Sequence, residues 1–147
     1  MARRIKIKQI QRALERYKRQ APLRIAAMAT NHFKDSFRMQ RFNDDGASPW
    51  QARKATDKRA RRFGSRNILV KSGRLRNATR KELATFKIIR IVNKTRYASI
   101  HNQGLRGKAY GKYDFTMPKR QFMGKSRKLD RRISKKIRSE FGKALDQ

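Results

Sequence analysis

"YASIHNQG", residues 97–104, contains no Lys or Arg in a chain that holds 42 of them. It carries one of the two histidines, a tyrosine and a closing glycine. If His101 is a base or a metal ligand, the protein reads as an enzyme. If the octet is scaffold, the protein reads as a building part. Alternation places Ala98 and Ile100 on one face and Tyr97, Ser99 and His101 on the other, which predicts a strand ending in a sharp turn at Gly104. His101 is then expected to fix the following loop through one ring nitrogen. Upstream, "LATFKIIRIV", residues 83–92, is rich in β-branched and aromatic residues and reads as the partner strand, with "NKT" as the hairpin turn.

Downstream, residues 104–116 hold three glycines and two tyrosines with little periodicity and read as a loop. "MPKRQFMG", residues 117–124, is predicted as a short edge strand, because Pro118 has no N–H to give a central one. Ser126 is placed as the cap of a final amphipathic helix with the stripe Leu129, Ile133, Ile137 and Phe141, ending near Leu145. Arg127, Lys128, Arg131, Arg132, Lys135, Lys136 and Arg138 cover its other faces. A DNA-facing surface, a membrane-surface helix and a solvated face all share that pattern.

Toward the N-terminus, "ILVKSGRLRNATR", residues 68–80, turns at Ser72-Gly73 into a short segment centred on Leu75. Residues 51–81 carry 12 Lys or Arg and one acid, Asp57. Seven of these cations, Arg53, Lys54, Lys58, Arg59, Arg61, Arg62 and Arg66, fall in a basic loop at about 51–66. Its apolar content is too small to offset the entropy of ordering, so it is expected to order only on an anionic partner. "NDDGASPW", residues 43–50, is a turn-rich loop ending in the only tryptophan. Asp44 and Asp45 precede a glycine with no His or third carboxylate near them in sequence, which suits turn formers better than metal ligands. Residues 5–21 show Ile10, Leu14, Tyr17 and Ala21 at helical spacing. Pro22 suits the first turn of a second helix, with the stripe Ala26, Thr30, Phe33 and Phe37, running to about Phe42.

The expected fold is therefore α+β: N-terminal helices, a small antiparallel β-hairpin sheet and a C-terminal amphipathic helix. At 147 residues it suits a single domain, 1–147, with a basic N-terminal segment. The 42 basic residues against 10 acidic ones give a formal charge of +32, which opposes compaction unless anions are supplied. Nucleic acid is the most economical source, because neutralising its phosphates releases counterions. Arg131 and Lys135 join the seven loop cations as candidate DNA contacts. The absence of cysteine excludes disulfides and thiolate chemistry. "IAAMA", residues 25–29, is the longest apolar run, too short to cross a membrane, and "MARRIKIKQIQR" lacks the apolar segment of a secretory signal.

Catalysis would require partners for His101. His32 lies on a helix far away in sequence, the ten acids are scattered, and there is no phosphate-cradling glycine loop. No catalytic residue, metal or cofactor is expected.

Four elements taken in order carry a resemblance. "FNDDGASPW" is similar to a Gly-x-x-x-Trp region after N-terminal helices. "ILVKSGRL" is similar to an element ILV-x-Thr/Ser-Gly-x-Leu. "YASIHNQG" follows the pattern Tyr-Ala-x-Ile-His-x-x-Gly, and "MPKRQFMGKS" the pattern Ile-Pro-Ala-Arg-x-Phe-Leu-Gly. Together, over about residues 23–145, the chain resembles the virion-morphogenesis, or tail-completion, proteins of tailed bacteriophages. The resemblance implies a small α+β protein without catalysis, assembled in the host cytoplasm. Its copies would form a ring at the neck or tail end of the virion and join the DNA-filled head to the tail, against portal or connector and tail proteins. It assigns fold and assembly roles to Trp50, Ser72, Gly73, Leu75, Tyr97, Ala98, Ile100, His101, Gly104, Pro118, Arg120 and Phe122. Two departures stand out: Lys119 where the family has a small residue, and a charge that points to closer contact with double-stranded DNA, without sequence preference. On composition alone a ribosomal or other nucleic-acid-binding structural protein fits as well, as does a DNA-condensing protein.

Overall fold

The computed structural model describes residues 2–53, 67–109 and 113–145. In chain order these form α1 (Ala2–Met39), α2 (Arg74–Asn77), β1 (Thr79–Ala84), β2 (Ile89–Asn93), α3 (Ala98–Gln103), β3 (Arg106–Ala109), β4 (Tyr113–Thr116) and α4 (Arg127–Leu145). The strands make two separate antiparallel hairpins, β1–β2 and β3–β4. The α+β composition matches the expectation from sequence. The basic window from Lys54 to Arg66 lies outside the described residues.

The break expected at Pro22 is not there: α1 runs through it for 38 residues. Proline in a helix interior removes one hydrogen bond and costs on the order of 3 kcal/mol. The cost is offset by packing on both sides of it. Tyr17 meets Phe141 edge-on at 5.9 Å, and Arg24 pairs with Glu140 at 3.0 Å. Both halves thus lean on one partner, α4, which runs antiparallel to α1. The two predicted stripes lie on one helix: Ile10, Leu14, Tyr17 and Thr30 are half-buried, and Ala21, Ala26, Phe33 and Phe37 are buried. Gln40, in left-handed geometry at φ 55°, ends the helix.

The predicted strand at 97–101 is instead the start of α3. The Tyr97 carbonyl accepts the His101 N–H at 3.2 Å, and Gly104 closes the turn at φ 75°. A pair at i and i+4 shares a face in a helix and in a strand alike, so the alternation could not tell them apart. Tyr97 and His101 are indeed neighbours, with their rings edge-on at 5.8 Å. The hairpin lies one segment earlier. "LATFKIIRIV" is not one strand but folds back on itself through Thr85, whose N–H donates to the Ile88 carbonyl at 2.8 Å and whose hydroxyl accepts the Ile88 N–H at 3.0 Å. The register pairs Thr79 with Asn93 and Ala84 with Ile89, with an irregularity between Lys81 and Leu83.

Two further corrections concern the stretch beyond Gly104. The predicted loop holds the β3–β4 hairpin, which pairs Arg106 with Thr116. The predicted edge strand at 117–124 is irregular chain outside any sheet. Its backbone is satisfied by side chains and by α3 instead: Arg120 N–H donates to the His101 carbonyl at 2.8 Å. The Ser126 cap is present, its hydroxyl accepting the Leu129 N–H at 3.1 Å. On α4, Leu129 is buried but Ile137 and Phe141 are exposed.

The interior consists of two clusters. Phe37, Trp50, Leu75, Ala98 and Phe122 form one. Ala29, Phe33, Phe42 and Leu129 form the other, where α1 meets α4. Among the described residues no helix is long and apolar enough to cross a membrane.

Candidate functional site

The four sequence elements quoted above converge on the first cluster. Trp50 comes from the first element, Leu75 from the second, Ala98 from the third and Phe122 from the fourth, and Phe37 of α1 sits among them. Phe37 lies 5.8 Å from Trp50 and 5.0 Å from Phe122 by ring centroids. The indole N–H of Trp50 donates to the Gln121 carbonyl at 2.8 Å, which meets the demand of a buried donor.

Polar side chains lock the crossings around this cluster. Asn102 Oδ1 accepts the N–H groups of Phe122 and Met123, each at 2.9 Å, and its Nδ2 donates to the Met123 carbonyl at 3.1 Å. Arg120 is buried and its guanidinium donates twice to the Gln51 carbonyl, at 3.2 and 3.0 Å. At Gly104 the chain passes so close to Lys119 that a Cβ would lie 2.9 Å from the Lys119 backbone nitrogen. Gly73, at φ 71°, lets the chain turn into α2. Pro118 is half-buried and Ser72 exposed. His101 acts through its carbonyl, not through the ring hydrogen bond expected of it. Its Nδ1 is buried without a hydrogen-bond partner, and burial followed by the nearby Arg120 charge lowers its pKa.

A second polar knot joins α1 to α4. His32 is fully buried, with Nε2 3.1 Å from the Ser126 hydroxyl and Nδ1 3.2 Å from Asn43 Nδ2. Asn43 Nδ2 can only donate, so Nδ1 accepts and Nε2 carries the proton. The Ser126 hydroxyl in turn donates to the Asn43 carbonyl at 3.3 Å. Burial, then the charges of Arg132 and Lys128, hold the His32 pKa below its ordinary value. The neighbouring turn contributes as well. Asp44 accepts the backbone N–H groups of Arg127 and Lys128 at the start of α4, and Asp45 pairs with Arg131. The two acids are thus helix-capping and pairing groups on a turn. Among the described residues no cluster of three or more His, Cys, Asp or Glu side chains could hold a metal.

The charged candidates divide. Arg53 is half-buried and donates to the Asn67 carbonyl at 3.2 Å, which ties together the two ends of the basic window. Gln40 reinforces the same junction by hydrogen bonds to both the N–H and the carbonyl of Ile68, while its own carbonyl accepts the Trp50 N–H at 2.8 Å. The window therefore leaves and re-enters the fold at one point. Arg131 is exposed but shared with Asp45, and Lys135 is exposed on α4.

Asn102, Gln40, Asn43 and His32 were not singled out from the sequence as holding residues. Polar residues used this way follow no period, and their partners lie up to 94 residues away.

Neither the curated proteins nor the solved structures contain a match to the chain. A family model does match, over residues 5–142, and it spans both the motif core and the α1–α4 pair. The chain is a member of the phage virion morphogenesis family.

Proposed function

We propose that this protein is a structural component of the head–tail junction. Its copies form a ring close to the DNA passage, between portal or connector and tail proteins, and help join the filled head to the tail. In this reading it catalyses nothing and its site of action is the virion neck or tail end.

The observation that carries the reading is a division of labour within the chain. The motif residues are spent on holding the fold, whereas the excess cations stand outward on α1, the β1–β2 hairpin and α4. A surface of one sign attracts DNA without reading its sequence, because phosphate contacts position and base contacts specify.

A phage genome lacking this gene tests the role. It should yield DNA-filled heads and finished tails that remain separate, and the purified protein added in trans should join them. Normal joined particles in its absence would overturn the proposal. Purified protein should bind duplex DNA of any sequence with affinity falling steeply as salt rises. Binding that is insensitive to salt would remove the DNA contact from the account.

A further inference from the structure

The end of β2 is built around one side chain. Asn93 Nδ2 donates to the Leu75 carbonyl at 2.7 Å and to the Thr79 hydroxyl at 2.9 Å. Its Oδ1 accepts the N–H of Thr95 at 3.2 Å and the Thr95 hydroxyl proton at 2.8 Å. This fixes the 93–95 turn against α2 and the first residue of β1. Thr79, which shares the knot, is fully buried.

The knot has an electrostatic consequence. It holds Arg74, Arg80, Lys94 and Arg96 around one open cavity of about 560 Å³, whose wall also includes Ala78, Thr95 and Tyr97. No acid lines it. Glu82 pairs with Lys94 at 2.6 Å and with Arg90 at 3.5 Å, which leaves three arginines in the wall to offset. Gathering like charges around a concavity is unfavourable in the free protein and becomes favourable when an anion enters. Arginine presents a planar fork suited to phosphate oxygens. The cavity is far larger than one phosphate group fills.

We infer that this cavity, between α2, the start of β1 and the β2–α3 turn, is an anion site that takes successive phosphates of a DNA backbone. The inference rests on the DNA contact proposed above and gives that contact an address. It lies outside the basic window and outside α4, where the sequence pattern had placed the contact.

The test compares two charge-matched triple variants by fluorescence anisotropy on labelled duplex DNA over a salt series. One replaces Arg74, Arg80 and Arg96 with Gln. The other replaces Arg127, Arg132 and Arg138, on α4, with Gln. Each position is exposed, and circular dichroism confirms the fold. The cavity variant should lose more than tenfold in affinity near 0.1 M salt and flatten the salt slope by about 2 to 3 units, at ~0.9 per phosphate contact. The α4 variant should lose clearly less, and Lys at all three cavity positions should restore most of the binding. If the wild type binds and both Gln variants weaken equally, the cavity is not a site, while the DNA reading survives. If the wild type fails to bind DNA at low salt, the reading itself falls and takes the cavity assignment with it. Pyrophosphate that shifts the amide resonances of Thr95, Arg96 and Tyr97 in that case would reveal a small-anion pocket and overturn the backbone assignment. Polyglutamate that competes as well as DNA of equal charge would also overturn it, in favour of an acidic protein partner.

Discussion

Asp44 Oδ1 accepts the backbone N–H of Lys128 at 2.9 Å across 84 residues of sequence, while Asp44 Oδ2 accepts that of Arg127 at 3.2 Å. A carboxylate from the turn after α1 thus sits on the N-terminal end of α4, where free N–H groups and the helix dipole favour negative charge. The contact fixes where α4 starts relative to α1, which is the relation on which the second core cluster depends.

Asp44→Ala should lower stability by about 1 kcal/mol, the usual value of a helix cap, and Asp44→Asn by less. The hydrogen bond from Lys128 is the main reason that the Asp44 carboxyl lies below its ordinary value. A depressed carboxyl pKa stabilises the fold fully above the ordinary value and loses that contribution as pH falls through the folded value. Urea denaturation at pH 7 and in stepwise more acid buffers should show the gap between wild type and Asp44→Ala closing with acid. A constant gap would refute the cap.

His32 should remain neutral with its proton on Nε2 across the neutral range, as ring nitrogen NMR would show. The unfolded chain binds a proton near pH 6.5 that the folded chain resists, so this site contributes its full stability above that pH and less as pH falls. His32→Ala leaves Ser126 and Asn43 short of partners in a buried place and should cost roughly 2 to 4 kcal/mol. A ring that titrates freely near 6.5 in the folded protein would contradict the buried network.

Gly104 and Gly46 share a left-handed backbone, at φ 75° and 71°, but differ in surroundings. A Cβ at Gly46 meets nothing within 4 Å, whereas one at Gly104 collides with Lys119. Gly46→Ala should cost about 1 kcal/mol from backbone strain alone. Gly104→Ala should cost clearly more, because both the Lys119 backbone and its Cβ would have to move. Equal midpoints in thermal denaturation would show that the close approach carries no energy.

Asn102→Asp keeps the acceptor for Phe122 and Met123 but loses the donor to Met123, whereas Asn102→Ala loses both. The Ala variant should be the less stable by about 1 to 2 kcal/mol, and hydrogen exchange at the Phe122 and Met123 amides should speed up most in it. Unchanged protection in the Ala variant would mean that this clamp is dispensable.

Element types with a strong period were legible in the sequence. The stripe through Ala26, Phe33 and Phe37 and the Ser126 cap could be placed because each follows from local spacing. The reading faltered where two periods coincide, as at Tyr97 and His101, and where a long apolar stretch hides a turn, as at Thr85–Ile88. Pro22 misled because the breaking tendency is local and the support from Phe141 and Glu140 is not. Residues around the motif core were legible as scaffold through their resemblance to the family, but their convergence on Phe37 was not, since Phe37 belongs to none of the four motifs. The cavity at Arg74 and Arg96 was hidden for a further reason. Its walls come from two segments that look like ordinary charged surface until Asn93 draws them together.

The unbroken course of α1 through Pro22 makes it a ruler. At about 1.5 Å per residue its 38 residues span roughly 57 Å, while the 19 of α4 span roughly 28 Å. The α4 aromatic Phe141 reaches α1 at Tyr17, so the helix continues about four turns beyond that contact toward its N-terminus. A rod of set length, anchored at one end, fixes a distance between whatever holds its two ends. Lengthening it by seven residues ahead of Ala13 would add about 10 Å, very nearly two whole turns, and leave the core contacts from Ala13 onward in place.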